Sequence, residues 1–88
     1  MSAVKGARHA DHQLAADQAR QVPGRWVLAA TYNSGYSAKS AARSIRRGSE
    51  LLRFYSPVGA FDVRTELTQD GADLFVRYIA DQPQEVSA

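Results

Sequence analysis

The stretch that decides the fold is Ser37 to Gly48, SAKSAARSIRRG. At 100° per residue, Ala38, Ala41, Ala42 and Ile45 recur at i, i+3, i+4 and i+7 and form one apolar stripe. Their small side chains allow that stripe to sit close against a sheet. Ser37 is a natural N-cap, because its hydroxyl accepts a hydrogen bond from a free amide of the first turn. Gly48 is the residue expected at a left-handed C-terminal cap. A short helix from Ala38 to Arg47 is therefore predicted. Roughly opposite its apolar stripe stand Lys39, Arg43, Arg46 and Arg47, at i, i+4, i+7 and i+8. No acid accompanies them on the helix; Glu50, beyond the capping glycine, is the first counter-charge.

On the N-terminal side of this helix, Arg25 to Tyr32 (RWVLAATY) is apolar at nearly every position and reads as a strand that is central or covered on both faces. Asn33-Ser34-Gly35-Tyr36 is turn material. Beyond the helix, Ser49 to Tyr55 (SELLRFY) reads as a short strand in preference to a continuation of the helix past a kink, and Ser56-Pro57-Val58-Gly59 as a turn. Ala60 to Leu67 alternates strictly, with Phe61, Val63, Thr65 and Leu67 on one face and Asp62, Arg64 and Glu66 on the other. Asp70-Gly71 is a hairpin signal. Asp73 to Ile79 then returns with Leu74, Val76 and Tyr78 facing one way and Phe75, Arg77 and Ile79 the other. The resulting expectation is an α+β fold, order β-α-β-β-β, with a small antiparallel sheet and one short basic helix packed on it.

A polar segment, residues 1–24, precedes the expected domain at 25–79, and a loose tail follows at 80–88. Within the first segment, Asp11 to Gln21 has good helix formers and no breaker, so it allows an extra N-terminal helix. Its apolar content is mostly Ala with Leu14, and alone it would fray. Val22-Pro23-Gly24 punctuates the entry to the domain. A core of about 55 residues is marginal. Either the N-terminal segment packs onto it or a partner covers apolar surface, so size alone raises homodimerisation.

The 88 residues contain no cysteine, which leaves neither disulfides nor a thiolate zinc site to reinforce the core. No apolar stretch resembles a signal peptide or approaches the roughly 18 residues of a membrane span. A cytoplasmic location, with no membrane partner, is the default expectation. Eleven Lys and Arg against nine Asp and Glu give a net charge of +2, so the distribution of charge matters more than its total.

Four cations on one helix face suit phosphate contact, because guanidinium groups fork onto phosphate oxygens and a row of them tracks a backbone. The same face also serves as a solvated surface, and cations in a last turn complement the helix dipole by about 0.3–1 kcal/mol each. Arg46 and Arg47 are accounted for in that way without a ligand. Arg53, Arg64 and Arg77, with Phe75, Ile79 and Tyr55, add an arginine–aromatic mixture to the sheet. Such a mixture on an open face stacks bases and grips phosphates in several single-strand binders. The alternative is packing of Phe75 and Ile79 under another element, with Arg64 paired to neighbouring Asp62 or Glu66.

Catalytic constellations are missing. His9 and His12 are three apart with Asp11 nearby, but metal sites need three or four ligands. Serines are numerous, yet both histidines lie far upstream and no nucleophile elbow exists. No phosphate-binding glycine loop is present. The expectation is a protein that is not an enzyme and needs no metal or cofactor.

The stretch Trp26 to Tyr78 resembles small proteins of actinobacteria and their phages. Their loose pattern is a Trp-Val strand, then Ser-Ala-x-x-Ala-x-x-Ile-Arg-x-Gly, Tyr-x-Pro-x-Gly-x-Phe and a closing Val-Arg-Tyr. Here these are Trp26-Val27, Ser40-Ala41-Ala42 with Ile45-Arg46-Arg47-Gly48, Tyr55-Ser56-Pro57-Val58-Gly59-Ala60-Phe61, and Val76-Arg77-Tyr78. The helix match is shifted by a residue, since Ser37-Ala38 fits the first pair better with Ala41, Ile45 and Gly48 following. The resemblance implies a phage or mobile-element accessory protein and brings no activity or functional residues. Two expectations stand together: nucleic-acid binding, DNA or RNA, through the basic helix, or a protein-interaction module such as an inhibitor of a host protein.

Overall fold

The computed structural model describes residues 7–48, 54–55 and 59–80. Its elements run β1 (Ala7–Ala10), α1 (His12–Gln21), β2 (Val27–Tyr32), α2 (Gly35–Arg47), β3 (Phe61–Thr68) and β4 (Gly71–Tyr78). The strands form one antiparallel sheet in the order β1-β2-β4-β3. The fold is α+β, as expected, with two helices over the sheet.

The alternation in β3 and β4 is realised as read. Phe61 pairs with Tyr78, Val63 with Val76 and Thr65 with Leu74, so these residues share one face. In β2 the register shifts between Leu28 and Ala30, and the extra residue, Ala29, turns the strand over. Leu28 thus pairs with Phe75 on one face, while Ala30 pairs with Leu74 on the other. That bulge explains why RWVLAATY lacks alternation although only one face of the sheet is covered. β2 is central, between β1 and β4.

The covered face joins Ala30, Tyr32, Phe61, Val63, Ala72, Leu74 and Val76 to Ala15, Ala16 and Ala19 of α1 and Ala38, Ala42 and Ile45 of α2, in a single core cluster. The alanine stripes let both helices approach the sheet closely. The N-terminal helix therefore packs onto the domain rather than fraying. Asp11 caps it, accepting from the Leu14 amide at 3.1 Å. Leu74 and Val76 are the largest fully buried side chains among the described residues. A run of rings, His12, Tyr55, Phe61 and Tyr78, crosses this layer with centroids 5.5, 5.2 and 5.1 Å apart. The Arg20 guanidinium lies over Phe61 and Tyr78 and donates to the Phe54 carbonyl at 2.8 Å.

Three expectations are corrected. β1 had no counterpart in the sequence reading, and it lengthens the sheet by pairing with β2. Of the expected strand Ser49 to Tyr55, residues 49–53 lie outside the described residues, while Phe54 and Tyr55 form a short 3-10 turn. The N-cap of α2 is Ser34, which accepts from the Ser37 amide at 3.1 Å, so the helix starts at Gly35. Gly48 closes it at φ 77°, as expected.

The β3–β4 hairpin also uses its glycine differently from the Asp-Gly signal. Gly71 opens β4 rather than occupying the turn, and among the described residues none but glycine has positive φ. Asp70 therefore does not adopt the mirror-image turn. A Cβ on Gly71 would lie 1.9 Å from the Tyr32 carbonyl oxygen, so the end of β2 requires glycine there.

Candidate nucleic-acid interface

With α2 beginning at Gly35, its outer surface gains a turn. Its buried positions are Ala38, Ala42 and Ile45. The opposite stripe contains Tyr36, Lys39, Arg43 and Arg47, at i, i+3, i+7 and i+11, all exposed. Among the described residues, Lys39, Arg43 and Arg47 make no ion pair or hydrogen bond. Arg46 differs. It flanks the stripe and donates from Nη2 to the Val63 carbonyl at 3.0 Å. Because β3 is an edge strand, that bond caps a free edge carbonyl. Four cations thus share the helix, but one is committed to the fold.

Arg64 and Arg77 are on the far side of the sheet from the helices. Cross-strand register puts Leu28, Phe75 and Arg64 in one row, Arg77 and Asp62 in a second, and Thr31, Asp73 and Glu66 in a third. Trp26 joins this face through its contacts. The Arg77 guanidinium is 4.5 Å from its ring and that of Arg64 is 5.0 Å away, while Arg64 also lies 4.9 Å from Phe75. Arg77 grips Asp62 through Nε and Nη2 at 3.3 and 2.9 Å, and Arg64 approaches Glu66 at 3.9 Å. Among the described residues two arginines here face three acids, Asp62, Glu66 and Asp73, so the surface is aromatic and mixed in charge, with one acid in excess. Leu28, 47% exposed, is its most open apolar residue.

The seven arginines and lysines singled out in the sequence are therefore not one surface. Lys39, Arg43, Arg46 and Arg47 lie on α2, Arg64 and Arg77 lie on the opposite layer, and Arg53 is outside the described residues. Of the sheet aromatics, Phe75 is on the open face as read, whereas Tyr55 is buried at 3% exposure among the core rings. Sequence reasoning missed Trp26 and Tyr36. Trp26 directly precedes β2 opposite Arg77, and Tyr36 falls in the first turn of α2 because the cap is Ser34 and not Ser37.

A third cluster lies under the covered face. His12 is 8% exposed, with Nδ1 2.6 Å from the Tyr55 hydroxyl and Nε2 3.4 Å from that of Tyr32. Burial lowers the His12 pKa below its ordinary 6.5, against a smaller upward pull from the Asp11 carboxylate. Burial likewise raises both tyrosines, Tyr55 most strongly, with Tyr32 and Asp11 adding to the effect there. The three groups thus stay neutral at pH 7 and satisfy one another. His12 is turned into the core, and among the described residues no three His, Asp or Glu side chains gather as a metal site. No helix among the described residues is long and apolar enough to cross a membrane.

Comparison with protein-family models, curated proteins and solved structures finds no match to this chain.

Proposed function

We propose that this chain is a nucleic-acid-binding accessory protein of phage or mobile-element type, which contacts phosphates through Lys39, Arg43 and Arg47. The observation that carries the reading is their shared exposed stripe without an acid partner among the described residues. The helix dipole acts within the last turn, so it accounts for Arg47 but not for Lys39 or Arg43. Three phosphate contacts correspond to a slope of log affinity on log salt of about −2 to −3. Fluorescence anisotropy with DNA and RNA oligonucleotides from 20 to 200 mM salt measures it. Absence of binding to every oligonucleotide at the lowest salt sinks the proposal.

The open sheet face favours a second reading, a protein-interaction module such as an inhibitor of a host protein. Trp26, Leu28 and Phe75 supply apolar area, and charges of both signs supply register. A stoichiometric partner retained after nuclease treatment, lost with Trp26→Ala/Leu28→Ala and kept with Arg43→Glu/Arg47→Glu, supports it. Concentration-dependent sedimentation would identify that partner as a second copy of the chain.

A further inference from the structure

Tyr36 is 81% exposed, more than any other large hydrophobic side chain described, and Leu67 follows at 77%. Single exposed apolar residues are ordinary on a protein surface. These two are not scattered. The Leu67 side chain lies against Gly35, whose Cβ position is 3.0 Å from its Cδ2, and Gly35 is the residue before Tyr36. Both therefore lie where α2 begins. Among the described residues the Tyr36 ring has no hydrogen bond, stacking partner or cation. It is also in line with the cations, about 4.5 Å of helix rise from Lys39 and about 10 Å from Arg43.

A ring at the head of a phosphate-gripping stripe discriminates between nucleic acids. A duplex presents phosphates outward and keeps its base faces stacked within, so a tyrosine on a convex helix finds no ring to cover. A single strand exposes both at once. Cations along the backbone with an aromatic ring beside them are the composition of single-strand binding surfaces. Resting on the phosphate-binding reading above, we infer that α2 binds a single-stranded nucleic acid, with phosphates on Lys39, Arg43 and Arg47 and one unpaired base stacked on Tyr36.

The test compares fluorescence-labelled 12-nucleotide single strands, DNA and RNA, with a duplex of the same sequence and with an abasic strand. Tyr36→Ala, Tyr36→Phe and Arg43→Glu/Arg47→Glu are measured beside the unaltered protein at 50 mM salt. The single strands bind tighter than the duplex. Tyr36→Ala weakens them roughly tenfold, about one base–aromatic stack. Tyr36→Phe retains affinity, and the salt slope stays the same in both tyrosine variants. The abasic strand binds the unaltered protein as weakly as Tyr36→Ala binds the normal one. Duplex affinity equal to or above single-strand affinity, or a Tyr36→Ala protein indistinguishable from the original, overturns the inference while leaving phosphate binding intact. No binding to any strand overturns both.

Discussion

The outer stripe of α2 and the open face of the sheet both carry arginine, yet they are chemically opposite surfaces. On the helix, the i, i+4, i+8 spacing collects Lys39, Arg43 and Arg47 on one side and leaves them without counter-ions among the described residues. On the sheet, cross-strand register sets Arg77 beside Asp62, and stacking folds both arginines over Trp26, and Arg64 also over Phe75. The same side chain is thus a free cation in one place and a lid over an apolar ring in the other. Periodicity and partner choice make the difference. A count of bases along the chain is blind to it.

The largest effect that tests this contrast is a double charge reversal. Arg43→Glu/Arg47→Glu removes two phosphate contacts and adds repulsion, and should weaken nucleic-acid binding roughly 100-fold at 50 mM salt. Both side chains are exposed and unpaired among the described residues, so the stability cost should be confined to Arg47→Glu, which sets an acid in the last turn against the helix dipole and costs about 1 kcal/mol. Equal loss of affinity from Arg64→Glu/Arg77→Glu would erase the distinction between the surfaces.

Trp26→Ala comes next, with the opposite signature. It removes two guanidinium–indole contacts, each worth about 0.5–1 kcal/mol, so stability should fall by about 1–2 kcal/mol. Phosphate affinity should stay within about twofold of the original, since no phosphate-contacting residue is touched. Urea unfolding and anisotropy on one preparation read both quantities. A Trp26→Ala protein as stable as the original would show that the arginine–indole stack contributes nothing.

Much of this architecture was legible in the sequence. The strict alternation of Ala60–Leu67 and Asp73–Ile79 located β3 and β4 and named their buried faces, and the alanine stripe located α2 and its packed side. Three features escaped for physical reasons. A bulge at Ala29 leaves no alternation to detect, so the apolar run reads as central or covered on both faces, and the first of these holds while the bulge itself goes unseen. Serines at 34 and 37 both suit a helix cap, and choosing the later one hid Tyr36 in a turn. The four residues of β1 hold too little pattern to announce a strand; their place depends on pairing with β2. The site was half legible for the same reason. Spacing identified the helix stripe, but only register shows Arg64 and Arg77 engaged with Asp62, Trp26 and Phe75.

Arg46→Ala sharpens the comparison at its border. The side chain sits on the cationic helix but donates to an edge carbonyl of β3, so it should behave as a structural arginine. Losing that bond should cost about 1 kcal/mol. The loss of binding in log units should be less than half of that caused by Arg43→Ala. A larger binding effect than Arg43→Ala would return Arg46 to the phosphate surface.

The smallest effect concerns the face that both helices cover. His12 has a folded-state pKa below its ordinary 6.5, so between those values the unfolded chain binds a proton that the folded chain does not. Stability is therefore complete above about pH 6.5 and is lost as the pH falls through it towards the folded value. Carboxylates begin to titrate only nearer pH 5, which leaves a window in which the slope reports histidine. Urea midpoints should decline from pH 6.5 to 5 in the unaltered protein. His12→Asn should start lower at pH 7.5, because the Tyr55 hydroxyl loses a well-placed partner, and should be flatter across the window. The imidazole lies under the covered face and not on the outer stripe of α2, so binding by the folded fraction should be level over the same range. Parallel slopes in the two proteins would mean that the buried imidazole does not set the acid sensitivity.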